Sequence, residues 1–154
     1  NVSVSDAQLL GEFGQATDVL NDVLALATIG LTAEQVGGCQ QTLDLTVDYT
    51  KERVQFNRTI ASFQAIKHKA SDMMLRTEVG RSALYYAACI ADEALSGGEL
   101  AGELREAASI AKAYCSDAYF ENAGQALAGL RRHWLCHFVA DCSAGDKARR
   151  CVEL

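Results

Sequence analysis

The sequence has no proline in its 154 residues, so the residue that interrupts helices most strongly is missing throughout. Alanine, leucine and glutamate, which form helices readily, are plentiful. The composition therefore predicts an all-α protein. A chain of this length can form one core and bury roughly 70% of the surface that it exposes when unfolded.

Long apolar stretches and an excess of positive charge are also missing. No uninterrupted apolar run approaches about 18 residues, so we expect no membrane span. The first residues lack the charged and apolar regions of a secretory signal. The formal net charge is −6, and an acidic chain repels phosphate backbones, so we expect no nucleic-acid partner.

Six cysteines are present, and three of them lie singly within helical patterns. We expect Cys39, Cys89 and Cys115 to be buried free thiols, as in a cytoplasmic protein. The other three, Cys136, Cys142 and Cys151, fall in the last twenty residues.

Hydrophobic periodicity predicts a first helix from about Ala16 to about Phe56, with a break near Gly30 as an alternative. Two adjacent glycines within it, Gly37 and Gly38, cost about 1 kcal/mol each relative to alanine. Close approach of another backbone would explain them. The predicted packing face of this helix comprises Leu20, Val23, Ala27, Leu31, Thr42, Leu45 and Tyr49.

Two further helices follow, and short connections between three long helices predict an antiparallel bundle. The second runs from about Ala61 to Leu95 and ends at Ser96-Gly97-Gly98; the third begins near Glu99. We expect core and boundary positions for the pairs Met73-Met74 and Tyr85-Tyr86. The predicted faces are Phe63, Ile66, Ala70, Met73 and Thr77 on the second helix, and Leu100, Leu104, Ala107, Ala111, Tyr114 and Ala118 on the third.

Alternating polar and apolar residues at Asn1 to Ser5 predict a short strand, which leads through a glycine-punctuated turn at Leu9 to Gly14 into the first helix. This opening and several later segments resemble, in order and spacing, the C-terminal domain of the acyl-CoA dehydrogenases. The segments are Gly37-Gly38-Cys-Gln-Gln-Thr-Leu-Asp, Arg53-x-x-Phe56, Phe63-Gln64, Ala70-x-Asp72-Met73 and Ala111-Lys112-Ala-Tyr-Cys-Ser-Asp117-Ala.

The resemblance implies three parts in this chain. Residues 1–14 correspond to the end of a β domain and a linker. Residues 15–127 correspond to the helical bundle domain, and 128–154 form an atypical tail. The domains that precede the last β-domain strand in complete members, with most of their contacts to isoalloxazine and acyl-CoA, have no counterpart in this sequence.

The resemblance also implies a function. Complete members form dimers or tetramers, hold FAD at a subunit interface, and remove the α and β hydrogens of an acyl-CoA thioester. Carried onto this sequence, Arg53 would pair with the FAD pyrophosphate, Phe56 would pack on the dinucleotide half, and Gln64 would hydrogen-bond near it. Arginine suits that role because its planar fork of donors matches phosphate oxygens.

Structural interpretations of the same residues stay open. Arg53 lies near Asp48 and Glu52 and could be a solvated charge at a helix C-terminus. Phe56 and Gln64 could be a core residue and a helix-start residue. We interpret Lys67-His68-Lys69 as a solvated face.

The catalytic base of the family has no counterpart here. Many members carry a Glu-Arg pair on the first long helix, where this sequence has Ala27 and Thr28. Others use a glutamate near the C-terminus, but no recognisable motif surrounds Glu153. We therefore expect no catalytic residue and no turnover by this chain alone. The alternative function is a non-catalytic helical subunit that pairs with a competent dehydrogenase, in a homo- or hetero-oligomer.

The tail differs from the rest of the chain. Residues 1–129 hold 9 Lys and Arg against 17 Asp and Glu, which gives −8, whereas residues 130–154 hold 5 against 3, which gives +2. The family continues with Gln-x-x-Gly-Gly-x-Gly-Phe where this sequence has Ala128 to Cys136. Reading these codons one base later permits that motif, so we hypothesise a frameshift near Leu127. The alternative of a zinc site at His133, Cys136, His137 and Cys142 matches no standard spacing, and we expect no metal.

Overall fold

The computed structural model describes residues 5–8, 11, 12, 14 and 16–130, and shows three long helices. These are α1 (Ala16–Glu52), α2 (Gln64–Ser96) and α3 (Leu104–Leu130), and two-residue strands β1 (Val54–Gln55) and β2 (Arg58–Thr59) lie between α1 and α2. Short 3-10 helices span Asp6–Gln8, Ile60–Ser62 and Glu99–Glu103. The predicted all-α class is confirmed. The predicted opening strand lies, except for Ser5, outside the described residues, as do residues 131–154 of the tail.

The helices run up, down and up. Ala25 of α1 clusters with Ala87 and Ala91 of α2, and Leu43 of α1 with Met73 of α2, so these two helices are antiparallel. The bonds of Gln35 with Ser116 and of Asp22 with Arg105 instead run in the same direction along α1 and α3. The antiparallel arrangement of consecutive helices is therefore confirmed. It places the end of α1, the start of α2 and the end of α3 at one end of the bundle.

Helix boundaries differ from the predicted ones by a few residues. Helix α1 is continuous through Gly30 and ends at Glu52 rather than near Phe56, because the chain then enters a hairpin that helical periodicity does not reveal. The predicted end of α2 is confirmed: Gly97 has φ 74, and the N–H of Gly98 donates to the carbonyl of Glu93 at 2.8 Å. Glycine adopts this left-handed conformation without steric cost.

The core is built from small side chains. One cluster joins Ala25 and Ile29 of α1 to residues of α2 and α3, and a second joins Leu43, Met73, Ala123 and Ala126. Small residues allow the helices to approach closely and to bury a continuous interface. The buried alanines of α2 and α3 are Ala87, Ala91, Ala107, Ala108, Ala111, Ala118, Ala123 and Ala126.

The predicted faces of α2 and α3 are confirmed for most residues. Of the residues predicted for the second helix, Met73 and Thr77 are buried, and Phe63, Ile66 and Ala70 are half-buried. Of the six residues predicted for the third helix, only Leu100 and Tyr114 are exposed. Met74, Tyr85 and Tyr86 are exposed, so the prediction of core and boundary packing is wrong for them. Adjacent helical residues point about 100° apart, so Met74 faces away from the core when Met73 faces it. Tyr85 and Tyr86 both lie outside the inward stripe of α2.

The predicted face of α1 is wrong over its first half. Leu20, Val23 and Leu31 are exposed, and the buried stripe instead contains Ala25, Ile29 and Thr32. Helix α1 has apolar residues on two sides, and in this three-helix bundle the side with smaller residues faces inward. The exposed apolar residues of this segment, which we call the outer face of α1, are Val19, Leu20, Val23, Leu24 and Leu31.

Helix α1 also meets the length and composition criteria for a candidate membrane span. Its most apolar 18 residues have a mean hydropathy of 1.2, although no uninterrupted apolar run of that length exists in the sequence. A single such helix is a weak indication, because helices of water-soluble assemblies meet the same criteria.

Buried threonines satisfy their hydroxyl groups within the helices. Thr42, Thr46 and Thr77 donate to the carbonyls of the residues four positions earlier, at 2.7–2.8 Å. Asn122 of α3 is fully buried and donates to the carbonyl of Met73 at 3.2 Å and to the hydroxyl of Thr77 at 3.1 Å. These two bonds fix the register between α2 and α3.

Cys39, Cys89 and Cys115 are free thiols, but only two of them are buried. Burial raises the pKa of Cys39 to about 12, with a smaller effect from nearby Cys115, and burial likewise raises the pKa of the Cys115 thiol. The prediction that Cys89 is buried is wrong, because its position on α2 faces solvent. Cys136, Cys142 and Cys151 lie outside the described residues.

Alkylation should therefore distinguish these thiols. At pH 8, we expect iodoacetamide to modify Cys89 in the folded protein, while Cys39 and Cys115 stay protected because thiolates are the reactive form and both are buried. Folding raises the pKa of the Cys39 thiol from 9.0 to about 12, so the protein keeps the full contribution of the buried neutral thiol to stability below pH 9 and loses it as the pH rises toward 12. Peptide mapping by mass spectrometry measures each site, and equal labelling of all three would contradict the packing.

The two adjacent glycines of α1 differ in their surroundings. A Cβ atom on Gly38 would lie 2.7 Å from Cε2 of Tyr119, whereas a Cβ on Gly37 would meet nothing within 4 Å. The close neighbour of Gly38 is thus a side chain, and the predicted approach of another backbone is wrong. Of these two glycines, packing within the described chain requires only Gly38.

Alanine substitutions at these positions should have opposite effects. Gly37→Ala should stabilise the protein by about 1 kcal/mol, because alanine favours a helix and has space there. Gly38→Ala should destabilise it by roughly 1–3 kcal/mol, since the ring of Tyr119 must move. Urea unfolding of both variants followed by circular dichroism is the measurement, and a stabilising Gly38→Ala would refute the tight contact.

Candidate functional site

A β-hairpin connects α1 to α2. The N–H of Arg53 donates to the carbonyl of Tyr49 at 2.9 Å in the last turn of α1, and the N–H of Ile60 donates to the carbonyl of Arg53 at 2.8 Å. Val54 pairs with Thr59 and Gln55 with Arg58. Arg53 therefore marks the point where the helix ends and the hairpin begins.

The tip of the hairpin is a two-residue turn. Phe56 and Asn57 have φ values of 54° and 60°, the left-handed conformation that two-residue hairpin turns of type I′ require. Asparagine tolerates this conformation, but a bulky phenylalanine adopts it rarely and at a cost of roughly 1–2 kcal/mol. Strained residues of this kind cluster at ligand-binding sites.

Phe56 projects from this turn and is 87% exposed. Its ring meets that of Phe63 edge to face, with centroids 6.2 Å apart and planes at 80°. The predicted core alternative for Phe56 is therefore wrong within this chain. An exposed aromatic ring held at a fixed angle offers a flat apolar surface to a ligand.

The hairpin packs beside the start of α2. Phe63 is the residue that precedes the first turn of α2, and no side chain caps this helix end. The guanidinium carbon of Arg58 lies 4.0 Å from the centroid of the Phe63 ring, a cation–π contact. Gln64 is the first residue of α2 and is exposed, with its amide 3.4 Å from the ring nitrogen Nε2 of His68.

Positive charge is concentrated in this segment. Residues 53–69 contain four cationic side chains and no aspartate or glutamate, in a chain whose net charge is −6. The first turn of α2 contains no acidic residue, and the N-terminal end of a helix carries a partial positive charge. The arrangement suits an anion such as a phosphate group. The four cations are Arg53, Arg58, Lys67 and Lys69.

The three predicted site residues thus belong to one hairpin and helix-start unit. Arg53 is exposed, and the neighbouring Asp48 lies 3.6 Å from Lys51. Sequence reasoning missed the hairpin itself and the Arg58–Phe63 stack. The Asn57 turn residue, with β-branched Val54 and Thr59 on either side, was the available signal for a hairpin.

The positions expected to supply a catalytic carboxylate or metal ligands form a separate set from the hairpin residues. Ala27 is exposed, and the hydroxyl of Thr28 donates to the carbonyl of Leu24 at 2.7 Å, so neither supplies a carboxylate. Among the residues that the structure describes, no group of three or more His, Cys, Asp or Glu side chains could hold a metal ion. The tail residues considered for zinc, and Glu153, lie outside the described residues.

Comparison with known proteins identifies the family. The family model described as "Acyl-CoA dehydrogenase, C-terminal domain" matches residues 16–130. The chain belongs to the acyl-CoA dehydrogenase family. This match contains the whole hairpin and all three long helices, and the predicted resemblance is confirmed.

Relatives in this family are considerably longer. An acyl-CoA dehydrogenase of Bacillus subtilis is 37% identical over 118 residues, which are 77% of this chain and 29% of that protein. A caffeyl-CoA reductase–Etf complex subunit of Acetobacterium woodii is 31% identical over 117 residues, or 76% of this chain and 29% of that protein. The chain therefore spans less than a third of the length of these acyl-CoA dehydrogenase relatives.

A solved structure shares the fold of this acyl-CoA dehydrogenase domain. The butyryl-CoA dehydrogenase of Megasphaera elsdenii superposes with a TM-score of 0.79 at 27% sequence identity, covering 90% of this chain and 36% of that chain. The similarity includes the long helices and thus the framework that holds the hairpin.

Relieving the strain at the tip should stabilise the hairpin of this acyl-CoA dehydrogenase domain. In Phe56→Asn, a residue that tolerates the left-handed conformation replaces one that does not. We expect the exchange of the Ile60 amide hydrogen with solvent to slow by roughly three- to tenfold, because this N–H closes the hairpin. Hydrogen exchange by NMR is the measurement, with Gln55→Asn in strand β1 as the control. Faster exchange in Phe56→Asn would argue against a strained turn.

Proposed function

We propose that this chain is the FAD-flanking and oligomer-forming domain of an acyl-CoA dehydrogenase, and that its hairpin binds the pyrophosphate part of FAD. The observation that carries the proposal is the four-cation hairpin and helix-start unit with its exposed phenylalanine. Family membership supports FAD-dependent α,β-dehydrogenation of an acyl-CoA thioester as the reaction that this domain would serve. Domains outside this sequence would bind the acyl-CoA.

The residues of the hairpin fit a dinucleotide. The planar guanidinium of Arg53 can donate two parallel hydrogen bonds to phosphate oxygens. Phe56 offers its exposed ring for packing against the dinucleotide half, and the amide of Gln64 can hydrogen-bond nearby. The uncapped N–H groups at the start of α2 add favourable dipoles for the same anion. FAD, when bound, would supply hydride acceptance.

Assembly with other polypeptide surfaces is part of the proposal. The outer face of α1 presents large apolar side chains over several turns, and Leu20, Val23 and Leu24 are each more than half exposed. Contiguous apolar patches of this kind mark protein contacts. A partner subunit or a further domain would cover this face. We expect the complete assembly to be cytoplasmic.

This chain alone should show no turnover. Ala27 and Thr28 occupy the positions where many family members carry a Glu-Arg pair, and a positioned general base contributes roughly 10²- to 10⁴-fold to a rate. We expect no bleaching of FAD at 450 nm when the purified chain is mixed with FAD and butyryl-CoA. The butyryl-CoA dehydrogenase of Megasphaera elsdenii is the positive control, and bleaching by this chain would disprove the inactivity.

Ala27 and Thr28, which stand in place of the Glu-Arg pair, also support a second function for this chain. It would be a non-catalytic subunit that pairs with a competent acyl-CoA dehydrogenase. The outer face of α1 and the retained Arg53 suit that role too. Co-purification with a larger flavoprotein of this family would favour the subunit. A flavin-free homo-oligomer would favour a domain that works only within its own longer protein.

The hairpin proposal is tested by FAD binding to the purified chain. Arg53→Gln should weaken FAD binding by roughly three- to tenfold, because one charge-assisted contact at an exposed site is lost. Lys112→Gln is the matched control, since it removes an exposed charge from α3 and should leave binding unchanged. Equilibrium dialysis at low and physiological salt measures both. Equal affinities of the two variants, or no FAD binding by the unsubstituted chain, would refute the proposal.

A further inference from the structure

We infer that Arg58 is a second phosphate-binding cation of the hairpin and that Phe63 positions it. The inference rests on the proposed FAD site and adds to it a residue outside the family motif from which Arg53, Phe56 and Gln64 were predicted. It assigns a role to the Arg58–Phe63 stack, the one cation–π contact that the described residues show near the hairpin.

The strand register places Arg58 on the same face as Arg53. Side chains alternate between the two faces of a strand, so Arg53 and Gln55 share a face. Gln55 pairs directly with Arg58 across the hairpin, and directly opposed residues point to the same face. Arg53 and Arg58 are therefore diagonal neighbours on one side of the two strands. Diagonal neighbours across a strand pair lie roughly 7–8 Å apart, so two arginine side chains in these positions are long enough to reach one pyrophosphate.

Phe63 restrains the guanidinium of Arg58 in the orientation that such binding needs. The guanidinium carbon lies 4.0 Å from the ring centroid, a cation–π contact that keeps the charged group over the ring. Phe63 is half-buried and forms the N-terminal boundary of α2. The stack thus holds the charge beside the helix N-terminus, where an anion is also favoured.

Among the described residues, Arg58 has no competing carboxylate as an ion-pair partner. In the described part of the chain no carboxylate forms an ion pair with Arg58, whereas Arg76, Arg81 and Arg105 each pair with a glutamate or aspartate. Those three arginines join elements of the bundle. An exposed arginine that is oriented by an aromatic ring and left without a carboxylate is available to an anionic ligand.

The test compares FAD with adenosine, which keeps the adenine and ribose of the dinucleotide half but has no phosphate. We expect Arg58→Gln to weaken FAD binding by roughly three- to tenfold, to make it less sensitive to salt, and to leave adenosine binding unchanged. Arg58→Lys should recover part of the FAD affinity, because it keeps the charge but lacks the planar fork. Equilibrium dialysis of the full chain provides the affinities, and circular dichroism confirms that each variant unfolds at the temperature of the unsubstituted chain.

Positioning by Phe63 is tested with a double-mutant cycle. Phe63→Leu removes the ring but keeps an apolar residue of similar size. If Phe63 acts through Arg58, then Arg58→Gln should have a much smaller effect on FAD binding in the Phe63→Leu background than alone. Additive effects would overturn the positioning role.

The outcomes separate this inference from the proposed function. If Arg53→Gln weakens FAD binding and Arg58→Gln does not, the role of Arg58 is refuted and the FAD site stands. A loss of thermal stability in Arg58→Gln, with FAD and adenosine binding reduced equally, would show that the stack only supports the hairpin. Absence of FAD binding by the unsubstituted chain would overturn both proposals.

Discussion

Close packing of small side chains between three helices is the constraint on which this structure depends. Ala87, Ala107, Ala111 and Cys115 are almost completely buried where α2 and α3 meet α1. Because these residues are small, the helix backbones approach closely, and the larger apolar side chains find room mainly on the outside. The same packing fixes the end of α1 beside the start of α2, so the six residues from Val54 to Thr59 can reverse the chain as a tight hairpin.

Polar contacts set the register of this packing rather than its strength. Arg105 of α3 bonds to Asp18 and Asp22 of α1 at 2.9–3.2 Å, but all three side chains are exposed, and exposed ion pairs contribute little to stability. The buried Asn122 contributes more to specificity, because a shift of α3 by one turn would leave its amide without the partners on α2. The geometry of the hairpin thus depends on apolar contacts for stability and on a few polar ones for alignment.

The sequence contains enough information to predict the class, the number of helices and their order. Periodicity identifies the inward face of α2 because Met73 and Thr77 lie on its only sustained apolar stripe. It fails on α1, where Leu20 and Ile29 lie on different sides and both sides are apolar. A search for the most hydrophobic face selects the side of α1 with larger side chains. A core packed with alanine instead accommodates the side with smaller ones. Sequence motifs predicted Arg53, Phe56 and Gln64 as site residues by family resemblance, and their roles toward FAD stay a prediction.

The stack of Arg58 on Phe63 could not be predicted from the sequence, because it depends on the turn. Phe56 and Asn57 adopt positive φ values, and phenylalanine rarely does so. A longer loop was equally compatible with the sequence. Once the two-residue turn is formed, the pairing of Gln55 with Arg58 follows from geometry, and with it the common face of the two arginines.

Helix α1 is apolar on two sides, and the stability of this domain therefore depends on whatever surface covers the outer side. A helix that buries one apolar side within its own bundle leaves the other in water, and no rearrangement of the three helices can cover both. Its stability should therefore increase with the concentration of whatever surface covers that second side, by mass action. In the proposed assembly, this domain would therefore be more stable than it is alone, by an amount that depends on how much of the covering partner is present.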